Sequence, residues 1–96
     1  MELTIQSVHF DAKEQLKDFA KQKVGKLEHF YDGIISAEVI LSLDKADNTE
    51  NKVSALTLSV TNGKLVSKQQ CKTFEEGIDL ACEALRKQLI KYKEQK

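Results

Sequence analysis

The hydrophobic pattern of the last 24 residues constrains the fold of this chain more than any other feature. Between Thr73 and Lys96 the apolar residues recur at intervals of three and four, which is the period of an α-helix with one buried face. The residues on that face are Phe74, Ile78, Ala81, Cys82, Leu85, Leu89 and Tyr92. Thr73 with Glu76 predicts a capping box at the start of the helix. Such a helix needs a second layer against which to bury its stripe.

Strand patterns supply that layer. Alternating or β-branched apolar residues predict strands over residues 2–8, 34–43 and 52–61, and a polar, basic fourth strand is predicted over residues 64–72. A change of parity near Ala55 indicates either a bulge or a strand covered on both faces. Asn62-Gly63 predicts a type I′ hairpin turn. Residues 44–51 are polar apart from Ala46 and predict an exposed hairpin loop.

A first amphipathic helix is predicted between the first two strands. It runs from about Ala12 to Phe30, with Asp11 and Glu14 as a capping-box-like start. Gly33 suits a left-handed C-cap. The resulting order is β-α-β-β-β-α. We therefore predict an α+β fold of two layers, in which both helices pack on one face of a four-stranded sheet and the other face stays polar.

Composition narrows the class of protein. Ninety-six residues predict a single domain over residues 1–96, and 41% hydrophobic with 31% charged residues is an ordinary globular mixture. No apolar run approaches the roughly 20 residues that a membrane span needs. The N-terminus lacks the pattern of a secretory signal, so we expect a cytoplasmic protein without a membrane partner. In that compartment Cys71 and Cys82 are expected to be reduced structural thiols.

The residues do not predict an enzyme. His9 and His29 are the candidate bases, and neither lies near a nucleophile or phosphate-binding motif. The two histidines and two cysteines are scattered without ligand spacing, so no metal site is expected. We accordingly expect no catalytic residues, no cofactor and no small-molecule substrate.

Basic residues indicate a function more strongly than the histidines and cysteines do, although the formal net charge is zero. The last helix begins acidic and ends basic, and part of this polarity complements the helix macrodipole. Lys87 and Lys91 nevertheless repeat on one outward face, with Arg86 and Lys93 on another flank. A footprint for a phosphate backbone depends on such clusters rather than on total charge.

Two further basic clusters lie on other elements. In the first helix Lys23 and Lys26 share one flank, and Lys17 with Lys21 share the opposite one. Lys64, Lys68 and Lys72 face one side of the last strand. The three clusters together can form one surface for phosphates, diluted by Asp18, Glu28, Glu83 and Glu94. Because the aromatic residues mostly fall on core stripes, such a surface is expected to read backbone shape rather than base sequence.

Three segments also resemble the motifs of a known family. Residues 26–32 read KLEHFYD, residues 74–79 read FEEGID and residues 85–93 read LRKQLIKYK. They resemble the KLE-aromatic-aromatic-D, M/F-Y-x-A-I-D and L-x-R/K-Q-L-x-K-x-K motifs of ribosome hibernation-promoting factors. This family is also called protein Y or, historically, sigma-54 modulation protein. The resemblance covers essentially the whole chain and keeps the order of the elements.

The resemblance implies a β-α-β-β-β-α fold related to double-stranded RNA-binding domains. It also implies a translation inhibitor of resting or stressed cells that occupies the mRNA and tRNA sites in the decoding channel of the small ribosomal subunit. Carried over position by position, it implies rRNA contacts at Lys23, Lys26, Lys87, Gln88, Lys91 and Lys93. Arg86 lies beside the usual basic position of the family and is a secondary candidate, as is Lys17.

The sequence departs from the family in two places. Glu75 and Glu76 replace a tyrosine and a small residue at the start of the second helix, which makes that end more acidic. Long members carry a dimerising domain after a linker, whereas this sequence ends at Lys96, so we expect any pairing of ribosomes to need a second factor or a different contact. The alternatives are a protein-binding modulator of transcription of the sigma-54 type and a module that binds free double-stranded RNA.

Overall fold

The computed structural model describes residues 1–44 and 50–94, and its elements follow the predicted order. The strands are β1 (Glu2–Val8), β2 (Ile34–Leu43), β3 (Lys52–Val60) and β4 (Gly63–Cys71). The helices are α1 (Glu14–Gly25), which continues into a short 3-10 helix (Lys26–His29), and α2 (Phe74–Glu94). The predicted loop 44–51 lies mostly outside the described residues, as does Lys96.

The four strands form one sheet in the order β1-β2-β3-β4. β1 and β2 are parallel, whereas β2 with β3 and β3 with β4 are antiparallel. A parallel pair needs a long crossover connection, and α1 provides it. The β2–β3 connection closes with a hydrogen bond from the Asp44 N–H to the Asn51 carbonyl, at 2.8 Å.

Both helices pack on the same face of the sheet, as predicted. The core between the layers contains fully buried aliphatic side chains from each element except the edge strands, among them Val24, Val39, Leu41, Leu56, Leu58, Ile78, Leu85 and Leu89. Residues on the opposite face of β4 alternate with the core-facing ones in sequence and are exposed. Burial of one helix stripe and one sheet face is the main stabilising term of a two-layer fold.

α1 and α2 run in the same direction across the sheet. Near their starts, Lys13 and Leu16 line one hollow together with Glu75. Further along, Lys23 pairs with Asp79. Beyond the end of α1, the ring of Tyr31 packs edge-on against Tyr92, with 5.6 Å between the ring centroids. The C-terminal ends of the two helices therefore lie at the same end of the molecule.

Tertiary contacts change the predicted bounds of the first helix. Its N-cap is Lys13, and no side chain caps the helix, so the predicted Asp11–Glu14 capping box is wrong. Phe10 instead stacks on Phe74, with 4.9 Å between ring centroids, which ties the residues before Asp11 to the start of α2. The α-helix also ends at Gly25, earlier than predicted, and only the 3-10 turn reaches His29.

The predicted left-handed conformation of Gly33 is also wrong, because no glycine among the described residues has a positive φ. A Cβ atom at this position would lie 2.6 Å from ring atoms of Tyr31. Gly33 therefore leaves room for an aromatic ring rather than for an unusual backbone. From the sequence, a glycine here is compatible with a left-handed backbone and with the close approach of a side chain. Only the packing of Tyr31 shows that the second applies.

The second hairpin is present, but its turn is not of type I′. Val60 pairs with Gly63, so Thr61 and Asn62 form the connection. Type I′ needs a positive φ at both central residues, and only Asn62 has one, at 69°. The Thr73 cap is confirmed by a hydrogen bond of 3.1 Å from the Glu76 N–H to the Thr73 hydroxyl.

The change of parity in β3 does not mark a bulge. β3 pairs with β2 and β4 without interruption around Ala55, and the irregularity lies between Ile34 and Ser36 on β2. Val53 is 7% exposed although it faces away from the helices. The second interpretation, a central strand covered to some extent on both faces, is therefore the correct one.

Candidate nucleic-acid interface

The C-terminal half of α1, the 3-10 helix after it and the middle of α2 form a groove lined by basic, aromatic and acidic side chains, the acids being Asp79 and Glu83. Four residues that line it are Lys23, Lys26, Phe30 and Arg86, and Cys82 contributes from the buried stripe of α2. Phe30 also lines an adjoining hollow that contains Lys93. We call these two hollows together the interhelical groove. The parallel direction of the helices is what brings these residues, which are some 60 positions apart in sequence, to one place.

Lys23 is held within this groove by contacts of its own. Its Nζ lies 3.2 Å from Asp79 Oδ1 on α2. The same ammonium lies 5.6 Å from the ring centroid of Phe19, within the range of a cation–π contact. Lys23 thus joins the two helices, and its charge is partly neutralised before any ligand binds.

Arg86 is oriented by two neighbours. Its guanidinium forms an ion pair with Glu83 one turn earlier, including an Nε–Oε2 hydrogen bond of 3.2 Å. Hydrogen bonding within this pair lowers the pKa of Glu83 and raises the pKa of Arg86. On its other side the guanidinium lies 5.8 Å from the ring centroid of Phe30. The pair at spacing three could be read from the sequence, whereas the contact with Phe30 could not.

Phe30 is the residue of the groove that the sequence pattern does not reveal. The pattern assigns it to the core stripes, but its side chain is 37% exposed. It lies after the 3-10 helix, where the helical period that defines the buried stripe has already ended. An exposed aromatic ring beside an arginine offers a surface that a ribose or a base could pack against.

Lys26 and Lys93 are the more available cations of the groove. Both side chains are exposed. Among the ion pairs formed by residues 1–44 and 50–94, none involves either lysine. Lys93 lines its hollow with His29, Tyr31 and Asp32. These two ammonium groups can therefore approach a phosphate without first losing a carboxylate partner.

The remaining predicted residues of α2 lie on its other sides. Lys87 is exposed on the solvent side, and Lys91 lies next to β4, where it lines a hollow with Leu65, Gln88 and Tyr92. Gln88 donates a hydrogen bond of 3.2 Å from its Nε2 to the Val66 carbonyl on β4. Its amide is therefore engaged in holding α2 against the edge strand.

Lys17 and the β4 lysines are not brought into the groove. Lys17 lies in the first half of α1, where its Nζ is 3.8 Å from Glu14, on the flank opposite Lys23. Lys64 and Lys68 face away from the helices, because the alternate residues Leu65 and Ser67 face the core side. The predicted single surface is thus wrong, since the sheet separates the β4 lysines from the interhelical groove.

Within residues 1–44 and 50–94 there is no group of three His, Cys, Asp or Glu side chains that could hold a metal ion. In the same residues, no helix is both long enough and apolar enough to cross a membrane.

The reactivity of the Cys82 thiol reports how well the side chains beneath the groove are packed. Burial raises the pKa of its thiol to about 11, with a further increase from Asp79 and an opposing effect from Lys23. We expect iodoacetamide to alkylate Cys82 slowly at pH 8, because the thiolate is the reactive form. The rate should rise only as the pH approaches about 11.

The measurement is mass-spectrometric quantification of the Cys82 peptide against pH, with circular dichroism as the check of folding. Since the thiol binds its proton more tightly in the folded state, its contribution to stability is present below pH 9 and is lost as the pH rises through about 11. Urea-unfolded protein is the control and should react readily near pH 9. Equal rates for folded and unfolded protein at pH 8 would show that Cys82 is not buried.

The fold and the groove define a class of protein: a two-layer domain whose parallel helices present basic side chains at their shared end. Its described residues contain no group of side chains that could hold a metal ion. Residues 3–96 match the family model described as Sigma 54 modulation protein / S30EA ribosomal protein, and the chain belongs to this family. Its relatives include proteins named ribosome hibernation promoting factor.

The relative from Azotobacter vinelandii is 32% identical over 94 residues, which cover 98% of this chain and 84% of the relative. The one from Escherichia coli K12 is 30% identical and is covered to 95%. Among solved structures, the N-terminal domain of Thermus thermophilus Protein Y superposes with a TM-score of 0.83 at 18% identity, covering 96% of this chain and 99% of that one. The structural match confirms the predicted fold, and the family match confirms the resemblance seen in the motifs.

Proposed function

We propose that this chain binds the decoding channel of the small ribosomal subunit and inhibits translation by occupying the mRNA and tRNA sites in resting or stressed cells. Residues 1–96 would act as a single ribosome-binding domain. Family membership and the names of the relatives, ribosome hibernation promoting factor, support the ribosome as the partner. No reaction is involved, because occupancy alone excludes the other ligands.

The observation that carries the proposal is the meeting of two basic helix ends in a protein of zero net charge. The acids of α2 lie mainly in its first half, where they complement the macrodipole, and the bases lie in its second half. The parallel packing of α1 adds Lys23 and Lys26 to the same end. A local cluster of this kind raises the affinity for a phosphate backbone irrespective of the total charge.

The candidate residues divide into two roles. Lys26 and Lys93 are exposed and would contact phosphates directly, as would Lys87 and Lys91 on the outer sides of α2. Lys23 and Gln88 are tied to Asp79 and to the Val66 carbonyl, and would hold α2 in place. Arg86 lies between these groups, since Glu83 and Phe30 orient it. Such contacts position a protein on RNA without reading its sequence.

Competition with the natural ligands tests the proposal. Purified small subunits are incubated with the protein, and binding of labelled mRNA and tRNA is then measured by filter retention. We expect loss of mRNA and tRNA binding in proportion to the protein bound, and protection of channel nucleotides in chemical footprints. Simultaneous binding of all three ligands would refute occupancy of the decoding channel.

The family description also contains the words Sigma 54 modulation protein, so a second function merits a direct test. A protein-binding modulator of transcription would bind a protein partner in ribosome-free extract. Replacing the lysines of the interhelical groove with glutamate would not change its affinity for RNA. A module for free double-stranded RNA would bind plain duplex RNA with an affinity similar to its affinity for the small subunit.

A further inference from the structure

The exposed face of β4 carries a second basic surface that the interhelical groove does not include. β4 is an edge strand of the sheet, and no acidic residue occurs between Gly63 and Lys72. Lys64 and Lys68 are both exposed, and their partners on β3 are the uncharged Ser59 and Ala55. Neither lysine takes part in an ion pair within the described part of the chain. Their Cα atoms lie roughly 13 Å apart, four residues along a strand.

A lysine flanks this edge from the helix side as well. Lys91 lies beside Leu65, which is the β4 residue next to Lys64 and faces the core. The Gln88 amide bonds the Val66 carbonyl and holds α2 against the same stretch of strand. We call Lys64, Lys68 and Lys91 the β4 edge cluster. Lys64 and Lys68 lie on the sheet face away from the helices, and Lys91 lies on the helix side of the same edge. The interhelical groove lies on the far side of α2 from this edge.

Edge lysines have a common structural use, because a charged side chain discourages edge-to-edge pairing of strands. The other edge strand of this sheet offers a comparison. On β1 the corresponding exposed residues are Glu2, Thr4, Gln6 and Val8, without a lysine. Protection of edges alone does not explain why positive charge accumulates only on the edge that adjoins the basic half of α2.

We propose that the β4 edge cluster contacts a second segment of rRNA phosphate backbone, so that α2 is held between two RNA contacts. The inference rests on the proposed function, since it assumes the small subunit as partner. Charge complementarity favours RNA, because the three cluster residues are all lysines and Lys64 and Lys68 flank a single exposed apolar side chain, Val66, on their face of β4. The contact adds affinity and orientation rather than sequence preference.

Charge reversal distinguishes this role from edge protection. A glutamate guards a strand edge by charge as a lysine does, but it repels phosphate. We therefore compare wild type with Lys64→Glu/Lys68→Glu, and use Lys13→Glu/Lys21→Glu as a control with the same change of net charge. Lys13 occupies the N-cap position of α1 and Lys21 lies on that helix, and both are exposed away from the two basic surfaces. Dissociation constants for purified small subunits are measured over a range of salt concentrations.

We expect the β4 variant to bind at least tenfold more weakly than the control at low salt. The slope of log K against log salt should decrease by about 2, one unit for each phosphate that the protein no longer neutralises. Thermal unfolding should be unchanged, and Lys64→Gln/Lys68→Gln should show an intermediate reduction of affinity.

Affinity and slope equal to those of the control would overturn the inference. Weaker binding with an unchanged salt slope would also overturn it, because that result indicates a protein neighbour. Lys26→Glu/Lys93→Glu, measured in parallel, separates the two proposals. If that groove variant also binds normally, the proposed function itself fails; if it alone loses binding, only the second contact is wrong.

Discussion

Reversing the charge of Lys26 and Lys93 is expected to reduce affinity for the small ribosomal subunit by on the order of 100-fold or more. Each of these exposed lysines would lose a charge-assisted hydrogen bond of about 1.5–3 kcal/mol and place a carboxylate against phosphate. Two such losses sum to about 3 kcal/mol or more, and each 1.4 kcal/mol is roughly tenfold in affinity. The measurement is co-sedimentation of Lys26→Glu/Lys93→Glu with purified small subunits.

Lys13→Glu/Lys21→Glu is the matched control, since it makes the same change of net charge away from the groove. We expect the control to bind within a few-fold of wild type. A similar reduction in both variants would indicate a general electrostatic effect and contradict a defined contact surface. The thermal unfolding midpoints of both variants are also measured, because a new carboxylate near a helix C-terminus can lower the stability of the fold by about 0.3–1 kcal/mol through the macrodipole.

Truncation of Leu85 to alanine is expected to lower the free energy of unfolding by about 3 kcal/mol or more. Leu85 is fully buried at the centre of α2, and removal of a buried leucine side chain loses its transfer energy and leaves a cavity. For a chain of this size the unfolding midpoint should fall by roughly 10–20 °C. Urea titration followed by circular dichroism measures the change directly.

Leu80→Ala makes the same chemical change on the same helix at a side chain that is 45% exposed. It should change stability by about 0.5 kcal/mol or less, because no core contact is removed. The folded fraction of Leu85→Ala should still bind small subunits at low temperature, since the groove residues are intact. Equal destabilisation by the two variants would mean that α2 is not packed on the sheet through the Leu85 stripe.

The sequence predicted well those features that depend on residues close together in the chain. The α2 stripe is an example, because the helical period alone identifies Ile78, Leu85 and Leu89 as buried. The Thr73 cap is another, since its hydrogen bond spans only three residues. The predictions that failed also concern local signals, at Asp11, Gly33 and the Asn62-Gly63 turn. At Asp11, the stacking of the neighbouring Phe10 on the distant Phe74 outweighed a capping preference of about 1 kcal/mol. At Gly33, the ring of Tyr31, which packs against the distant Tyr92, occupies the space next to the glycine.

The candidate interface likewise combines features that the sequence predicts with features that only the tertiary structure reveals. Periodicity determined which lysines of each helix point outward, whereas the Glu83–Arg86 ion pair, although compatible with a spacing of three, was not predicted. Only the tertiary structure decided that the helices run parallel, that Lys23 pairs with Asp79, and that the sheet separates Lys64 and Lys68 from the interhelical groove. The physical reason is that a hydrophobic stripe specifies which face of an element is buried but not its neighbour or direction. Those depend on packing between residues far apart in sequence.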